Sequence, residues 1–327
     1  MRLIQHNITK SIAIGFTAAI IAAALFGSVS TIAKPVLATV DSFLLSSLVY
    51  LISAMFFSAV IVLTNNTASA AASSLQNYAS FSKRRHYVLV VTTSIIGAAI
   101  APAMFFFGLR QTTASDTSLL ANGETIFSII MAILFFKEKL KPLGYMAVLM
   151  VLAGLVVVTT NLQIHSSLFG INSGNMLVLG ATALWGLDNN ICRFIIYRMG
   201  IARLVQVKSV IGGGTLLIFA AFVLHVPLNI SVASIPQIVV LGAVGFGTSL
   251  YFFLISMNRI GIVRSVLVLS LSSVFGLVFA SSLLAELISV HQIIAIVVMI
   301  AGIYLINIEK GNGKTNNTIA SVEERND

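Results

Sequence analysis

Glu124 is the side chain in this sequence whose type and place most demand a chemical use. It stands in the run Asp116 to Pro142, DTSLLANGETIFSIIMAILFFKEKLKP, which is apolar for long enough to cross a bilayer and contains a polar knot, Asn122-Gly123-Glu124. At the rise of an α-helix Glu124 lies about 12 Å beyond Asp116, and the charged cluster Lys137-Glu138-Lys139 begins about 20 Å further on. The carboxylate therefore falls near the middle of hydrocarbon, where an ionised acid costs about 3 kcal/mol or more, so it must face protein or water. Two uses fit such a group: handling of substrate or protons, or a protonated, hydrogen-bonded tie to Asn122 or a neighbouring helix.

A second polar group lies in ALWGLDNNICR, Ala183 to Arg193, where Trp185, Asp188, Asn189 and Asn190 occupy consecutive turns. Three successive polar residues sweep about 300° of a helix, so at least one of them must meet another helix rather than a cavity. Asp188 is open to two readings, substrate contact or an interhelical clamp, the latter including a pair with Arg193. Among the aromatics Tyr50, Phe105, Trp185, Tyr251 and Phe252, the sequence reading selects Trp185 and Tyr251 as pocket wall; Tyr87, Tyr145 and Tyr304 stand near span ends, as interface anchors do. The candidate substrate- or proton-binding set is thus Glu124, Asn122, Asp188, Asn189, Trp185 and Tyr251. Arg110 is expected to pair with Asp116 across a short loop, and Glu138 and Glu286 to act as stops or caps at span ends.

Other chemistry finds little footing. The five histidines are scattered without metal-ligand spacing, and Cys192 is the single cysteine. The glycine runs Gly212-Gly213-Gly214 and Gly242, Gly245, Gly247 are followed by no Lys-Ser/Thr, so they suit close helix approach rather than a phosphate loop. No lysine is read in mid-span, Lys208 being counted with the basic residues at the inner ends. Neither an enzyme nor a metal or organic cofactor is expected.

The elements that must position these residues are membrane helices. The chain is 58% hydrophobic and 9% charged, with mean hydropathy +1.02. Apolar runs fall at 11–33, 43–63, 87–109, 117–136, 143–160, 175–194, 204–224, 237–256, 262–284 and 291–308. The first run is longer than a typical signal-peptide core, so it is read as a retained helix. If the N-terminus is cytoplasmic, only Lys34 and Arg110 of the basic residues fall outside, which accounts for the net charge of +9 without a nucleic-acid partner. Both termini are then cytoplasmic, in the cell membrane, with the lipid bilayer and a small-molecule substrate as partners.

The chain also repeats itself. ALFGSVSTIAK, Ala24 to Lys34, resembles ALWGLDNNICR, and at a constant offset of 148 positions Gly97 matches Gly245, Phe105 matches Phe253, Glu138 matches Glu286 and Gly154 matches Gly302. Five spans per half is an odd number, so the second half enters the membrane inverted. The expected fold is all-α and integral to the membrane, ten transmembrane helices as two inverted five-helix repeats at 11–160 and 174–308. The halves are joined by the link Asn161 to Gly174. A flexible loop is expected at Thr64 to Ser82 and a disordered cytoplasmic tail at 309–327.

Taken together these residues resemble the drug/metabolite transporter superfamily, specifically the EamA-type permeases, over about Ile12 to Ile308. The marks are Leu-aromatic-Gly in helices one and six with Lys34 and Arg193 following, Glu138 and Glu286 ending helices four and nine, and Glu124 fourteen residues before Glu138. The family's frequent proline would fall at Thr125 and Ser273, and neither is proline, which leaves open whether helices four and nine break as sharply as in relatives. The reading that follows is a secondary transporter, an exporter of small metabolites or drug-like compounds working by alternating access, with protons as a candidate coupling ion. The rival classes are a non-transporting membrane sensor or scaffold and a passive channel.

Overall fold

A computed structural model describes residues 2–72, 83–136, 142–160 and 172–311. Among them all long elements are helical and there is no strand. Among the described residues six helices are long and apolar enough to cross a membrane: Lys10–Val36, Ser42–Thr64, Arg85–Gln111, Ile201–Val223, Val232–Ile260 and Ile262–Leu284. The solvent pattern of a soluble protein is reversed. Leu63, Phe222 and Val297 are exposed on the outside, whereas Asn122, Asp188, Asn189, Asn190 and Lys208 are buried. That inversion is what a bilayer selects, and this is a multi-pass membrane protein.

In chain order the helices are α1 (Arg2–Val36), α2 (Ser42–Ala72), α3 (Lys83–Ile95), α4 (Ala101–Gln111), α5 (Ala114–Leu120), α6 (Gly123–Phe136), α7 (Pro142–Thr160), α8 (Ser173–Met199), α9 (Ile201–Ile218), α10 (Ile235–Val240), α11 (Ser249–Ile260), α12 (Ile262–Leu269), α13 (Ser272–Leu284) and α14 (Val290–Gly311). Two sequence expectations change here. The loop at Thr64 to Ser82 is helical as far as Ala72, because Ala-rich sequence continues a helix readily. The cluster Lys137-Glu138-Lys139, the link at 161–171 and the tail from 312 lie outside the described residues.

The expected fourth and ninth spans are each interrupted despite lacking proline. α5 gives way to α6 at Ala121-Asn122, and α12 to α13 at Ser270-Leu271. At both breaks the backbone tightens to bonds three residues apart, Glu124 N to Ala121 O and Thr125 N to Asn122 O in one, Ser273 N to Ser270 O and Val274 N to Leu271 O in the other. The breaks are held by each other: Asn122 Nδ2 donates to Ser273 Oγ at 3.0 Å, and Thr125 Oγ1 donates to the Val266 carbonyl at 3.0 Å. A polar side chain in lipid gains most by finding a partner, and here the partner is the other interruption.

Between α3 and α4 the helix widens into a π stretch, Ile96–Ile100, and the sequence supplies the cause. Pro102 has no N–H, and in π register it is the residue that would have donated to the Gly97 carbonyl. That freed oxygen accepts instead from Tyr50 OH at 3.1 Å and Trp185 Nε1 at 3.0 Å, which pins α2 and α8 to the bulge. A second π stretch, Leu241–Thr248, connects α10 to α11. Gly200 and Gly261, at φ 78° and 82°, reverse the chain in one residue between α8 and α9 and between α11 and α12, where a side chain would be strained.

α2 packs along α9, and α7 along α14; α1 packs against α11 and α13, as α8 packs against α4 and α6. One end of the bundle is tied by polar groups at helix ends. The Glu286 carboxylate accepts from Ala114 N and Ser115 N at 2.9 Å each and Thr113 Oγ1 accepts from Asp116 N at 2.9 Å, so the amides at the start of α5 are satisfied. Glu286 thus caps α5 with its side chain while its backbone N–H closes the end of α13 on the Ala280 carbonyl at 3.4 Å. Lys34 closes the opposite kind of end, donating to the carbonyls of Leu109 at 2.8 Å, Arg110 at 3.3 Å and Thr112 at the C-terminus of α4.

The expected Arg110 to Asp116 pair does not form. Arg110 reaches Asp41 at 4.0 Å, both partly exposed, while Asp116 accepts from Gln292 Nε2 at 2.6 Å. Asp116 is 4% exposed in the first turn of α5, where its side chain meets Gln292 of α14 and Thr112 of the loop instead of Arg110.

Candidate functional site

The break in the fourth span starts a new helix in the interior, and Glu124 is in its first turn. An anion at that position is favoured by the dipole of α6. Asn189 Nδ2 donates to Glu124 Oε1 at 2.6 Å, and among the described residues Oε2 has no hydrogen-bond partner. Glu124 is 7% exposed, and that exposure opens into a cavity of about 450 Å³ of empty space, which includes the part continuous with solvent.

The cavity has two kinds of wall. The polar part is Glu124, Asn189, Asp188, Lys208 and Ser249; the aromatic part is Phe26, Tyr50, Trp185 and Phe246, with Phe253, Leu250 and Leu269 completing the apolar surface. The aromatic rings support each other, Phe26 against Trp185 at 5.7 Å and against Phe246 at 5.9 Å between centroids, both edge to face, and Phe105 behind Trp185 at 5.2 Å. Since the Trp185 and Tyr50 polar atoms are both spent on Gly97 O, those two side chains present mainly hydrocarbon to the space.

Asp188 is fully engaged. Its carboxylate forms a buried ion pair with Lys208 and accepts from Thr93 Oγ1, with Cys192 Sγ at 3.6 Å. Asp188 and Lys208 are 2% and 1% exposed. Two charges removed from water are held only when each satisfies the other and further hydrogen bonds complete the set, as Thr93 does here. Gly97 makes the arrangement possible, because a Cβ at that position would lie within 2.7 Å of the Asp188 carboxylate. The pair with Arg193 that the sequence allowed is therefore replaced by one with Lys208.

The three polar residues of α8 divide as their angular spread requires. Asp188 turns to α3 and α9, Asn189 to Glu124 and Ser128 on α6, and Asn190 Nδ2 to the Ser128 carbonyl at 3.0 Å and the Gly186 carbonyl at 2.9 Å. Glu124, Asp188, Asn189 and Trp185 thus come together. Asn122 and Tyr251 do not line the cavity: Asn122 is taken up by Ser273 and by Met299 Sδ at 3.3 Å, and the Tyr251 ring lies against Phe57 at 5.3 Å.

Lys208 is the functional-looking residue that sequence reasoning missed. It stands four residues inside the expected span 204–224, close to Arg203, where a lysine ordinarily reaches back to the interface. A signal did exist. Asp188 precedes the turn at Gly200 by twelve residues and Lys208 follows it by eight, which on adjacent antiparallel helices is a depth difference of about 6 Å, within reach of a lysine side chain.

A model of the EamA-like transporter family matches residues 13–160 and 172–308. The chain belongs to that family. The chain is also similar to a protein described as an uncharacterized transporter from Methanothermobacter thermautotrophicus, 30% identical over 208 residues, which are 63% of this chain and 60% of that protein. The chain thus spans about three fifths of the length of this relative. A solved crystal structure is similar in fold at a TM-score of 0.65, with 19% identity over 94% of this chain and 99% of the other.

Proposed function

We propose that the protein is a secondary transporter that carries small metabolites or drug-like compounds across the cell membrane by alternating access, with export as its working direction. The observation that carries the reading is Glu124: a carboxylate at the start of a half-helix, with one oxygen unpartnered, facing a cavity lined from both halves of the chain. Discontinuous helices meeting near the midplane are how alternating-access carriers build substrate sites without exposing backbone to lipid. The proposed site comprises Glu124, Asn189, Trp185 and the Asp188–Lys208 pair.

Several features support a two-repeat architecture behind this mechanism. Exchanging the halves turns the α1 contacts with α11 and α13 into the α8 contacts with α4 and α6, and leaves the α2–α9 and α7–α14 pairs as they are. The π stretches at 96–100 and 241–248 and the breaks at 121–122 and 270–271 also correspond at or near the offset of 148. With α5 and α6 counted as one interrupted span and α7, α8 and α14 added to the six long apolar helices, the reading is ten spans with both termini cytoplasmic. The ties of Glu286 to α5, of Gln292 to Asp116 and of Asn175 to Thr112 all join one half to the other at the same end, and releasing them is the opening step on that side.

Protons are the proposed coupling ion, exchanged at Glu124. In proteoliposomes the purified protein is expected to catalyse saturable counterflow and to accumulate substrate against an imposed pH gradient. Glu124→Gln should lose the response to the gradient, with counterflow persisting only at higher substrate concentration. Unchanged gradient-driven uptake by that variant removes the coupling, and absence of any saturable flux removes the transporter.

A further inference from the structure

The charge balance of the cavity narrows the substrate class. Three carboxyl or amine side chains are among its described lining, and two of them, Asp188 and Lys208, cancel in a buried pair whose acid is also hydrogen-bonded by Thr93. Lys208 therefore has no positive charge to offer an incoming anion unless that pair is broken, which is strongly unfavourable for a pair so fully buried. Glu124 is different. One of its oxygens is held by Asn189 and the other has no partner among the described residues. Among the described lining residues Glu124 thus keeps the one open carboxylate oxygen, beside the neutral amide oxygen of Asn189.

The rest of the lining is mainly apolar and aromatic. Phe26, Trp185 and Phe246 stand within 6.2 Å of one another, and the hydrogen-bonding atom of Trp185 is turned away to Gly97 O. Such a surface accepts a hydrocarbon or ring face and attracts a cation held close to it, while offering no donor to a carboxylate or phosphate. A zwitterion would need a cationic group besides the acidic one, and the cavity's only cation is already spent.

We propose that the cavity takes a small organic monocation with an apolar or aromatic body, its charged nitrogen on the open oxygen of Glu124 and its body against Trp185 and Phe26. This rests on the reading of the cavity as the transport site and adds to it the sign of the substrate's charge.

The molecule carries its own reporter, since Trp185 is its only tryptophan. Purified full-length protein is titrated with three probes of similar body and different charge: 2-phenylethylammonium, 2-phenylethanol and 3-phenylpropionate. The expected result is a saturable change in Trp185 emission at the lowest concentration for the ammonium, with the alcohol weaker by about tenfold or more and the carboxylate weaker still. Glu124→Gln should close the gap between ammonium and alcohol while leaving the alcohol as it was, and Glu124→Asp, which keeps the charge, should preserve the order of the three. Equal or tighter binding of alcohol or carboxylate, a Gln variant that keeps the full preference, or no saturable response to the ammonium overturns the proposal. Selective ammonium binding without counterflow of the amine removes the transport reading and leaves the charge assignment standing. Saturable counterflow of the carboxylate but not the amine does the reverse.

Discussion

Replacing Gly97 with alanine puts a methyl carbon against the Asp188 carboxylate, with even the farther oxygen, Oδ1, only 2.7 Å away. The helix cannot back off to make room, because the Gly97 carbonyl is held by Tyr50 and Trp185 together. Asp188 must move, and in moving it loosens its hold on Lys208 and Thr93. Taking one partner from a buried ion pair costs about 3–5 kcal/mol. Alanine in place of glycine within a helix returns up to about 1 kcal/mol. The net expectation is a loss of about 2–4 kcal/mol, the difference between those two effects. Gly214→Ala is the internal control, because nothing lies within 4 Å of its new Cβ, and it should be neutral or stabilising. Unfolding of the purified protein in detergent orders the three as Gly214→Ala, wild type, Gly97→Ala. In an Asp188→Ala background the methyl group finds space and the penalty should fall away. A Gly97→Ala protein as stable as wild type, or a penalty that survives at full size without the Asp188 carboxylate, refutes the reasoning.

The same pair predicts a double-mutant cycle. Lys208→Met alone leaves a buried carboxylate without its counter-ion and should cost about 3–5 kcal/mol, whereas Lys208→Met combined with Asp188→Asn should recover most of that loss; additive losses in the unfolding assay would show that the two charges do not depend on each other. Glu286→Ala releases two amides at the start of α5 and should destabilise by about 1–2 kcal/mol, read as a lower midpoint that Glu286→Gln partly restores through its remaining acceptor oxygen. An unchanged midpoint for Glu286→Ala would mean that water caps α5 equally well.

How much of this was legible in the sequence follows from the distance over which each effect acts. Burying a carboxylate in an apolar run is costly wherever the run goes, so Glu124 declares itself from its neighbours along the chain. The angular argument on Asp188, Asn189 and Asn190 is likewise local: Asp188 turns to α3 and α9, while Asn189 and Asn190 both reach α6. Position along the chain does not name a partner, because it says which stretch a residue lies in and not which helix lies against it. Tyr251 packs on Phe57 and Asn122 holds Ser273, while Arg110 meets Asp41 rather than Asp116.

By itself, then, the sequence determined that the chain lives in lipid, that it is helical, and that an acid lies in the middle of its fourth apolar run, because hydrocarbon solvation is a property of composition and of residues a few positions apart. Only the tertiary structure decided that Lys208 neutralises Asp188, that the two interrupted helices brace each other through Asn122 and Ser273, and that Glu124 keeps one oxygen open to a cavity. Those are pairings between residues from 20 to 151 positions apart. Ion pairs and hydrogen bonds act over about 3 Å, so which of many polar side chains meet is settled by how the helices pack.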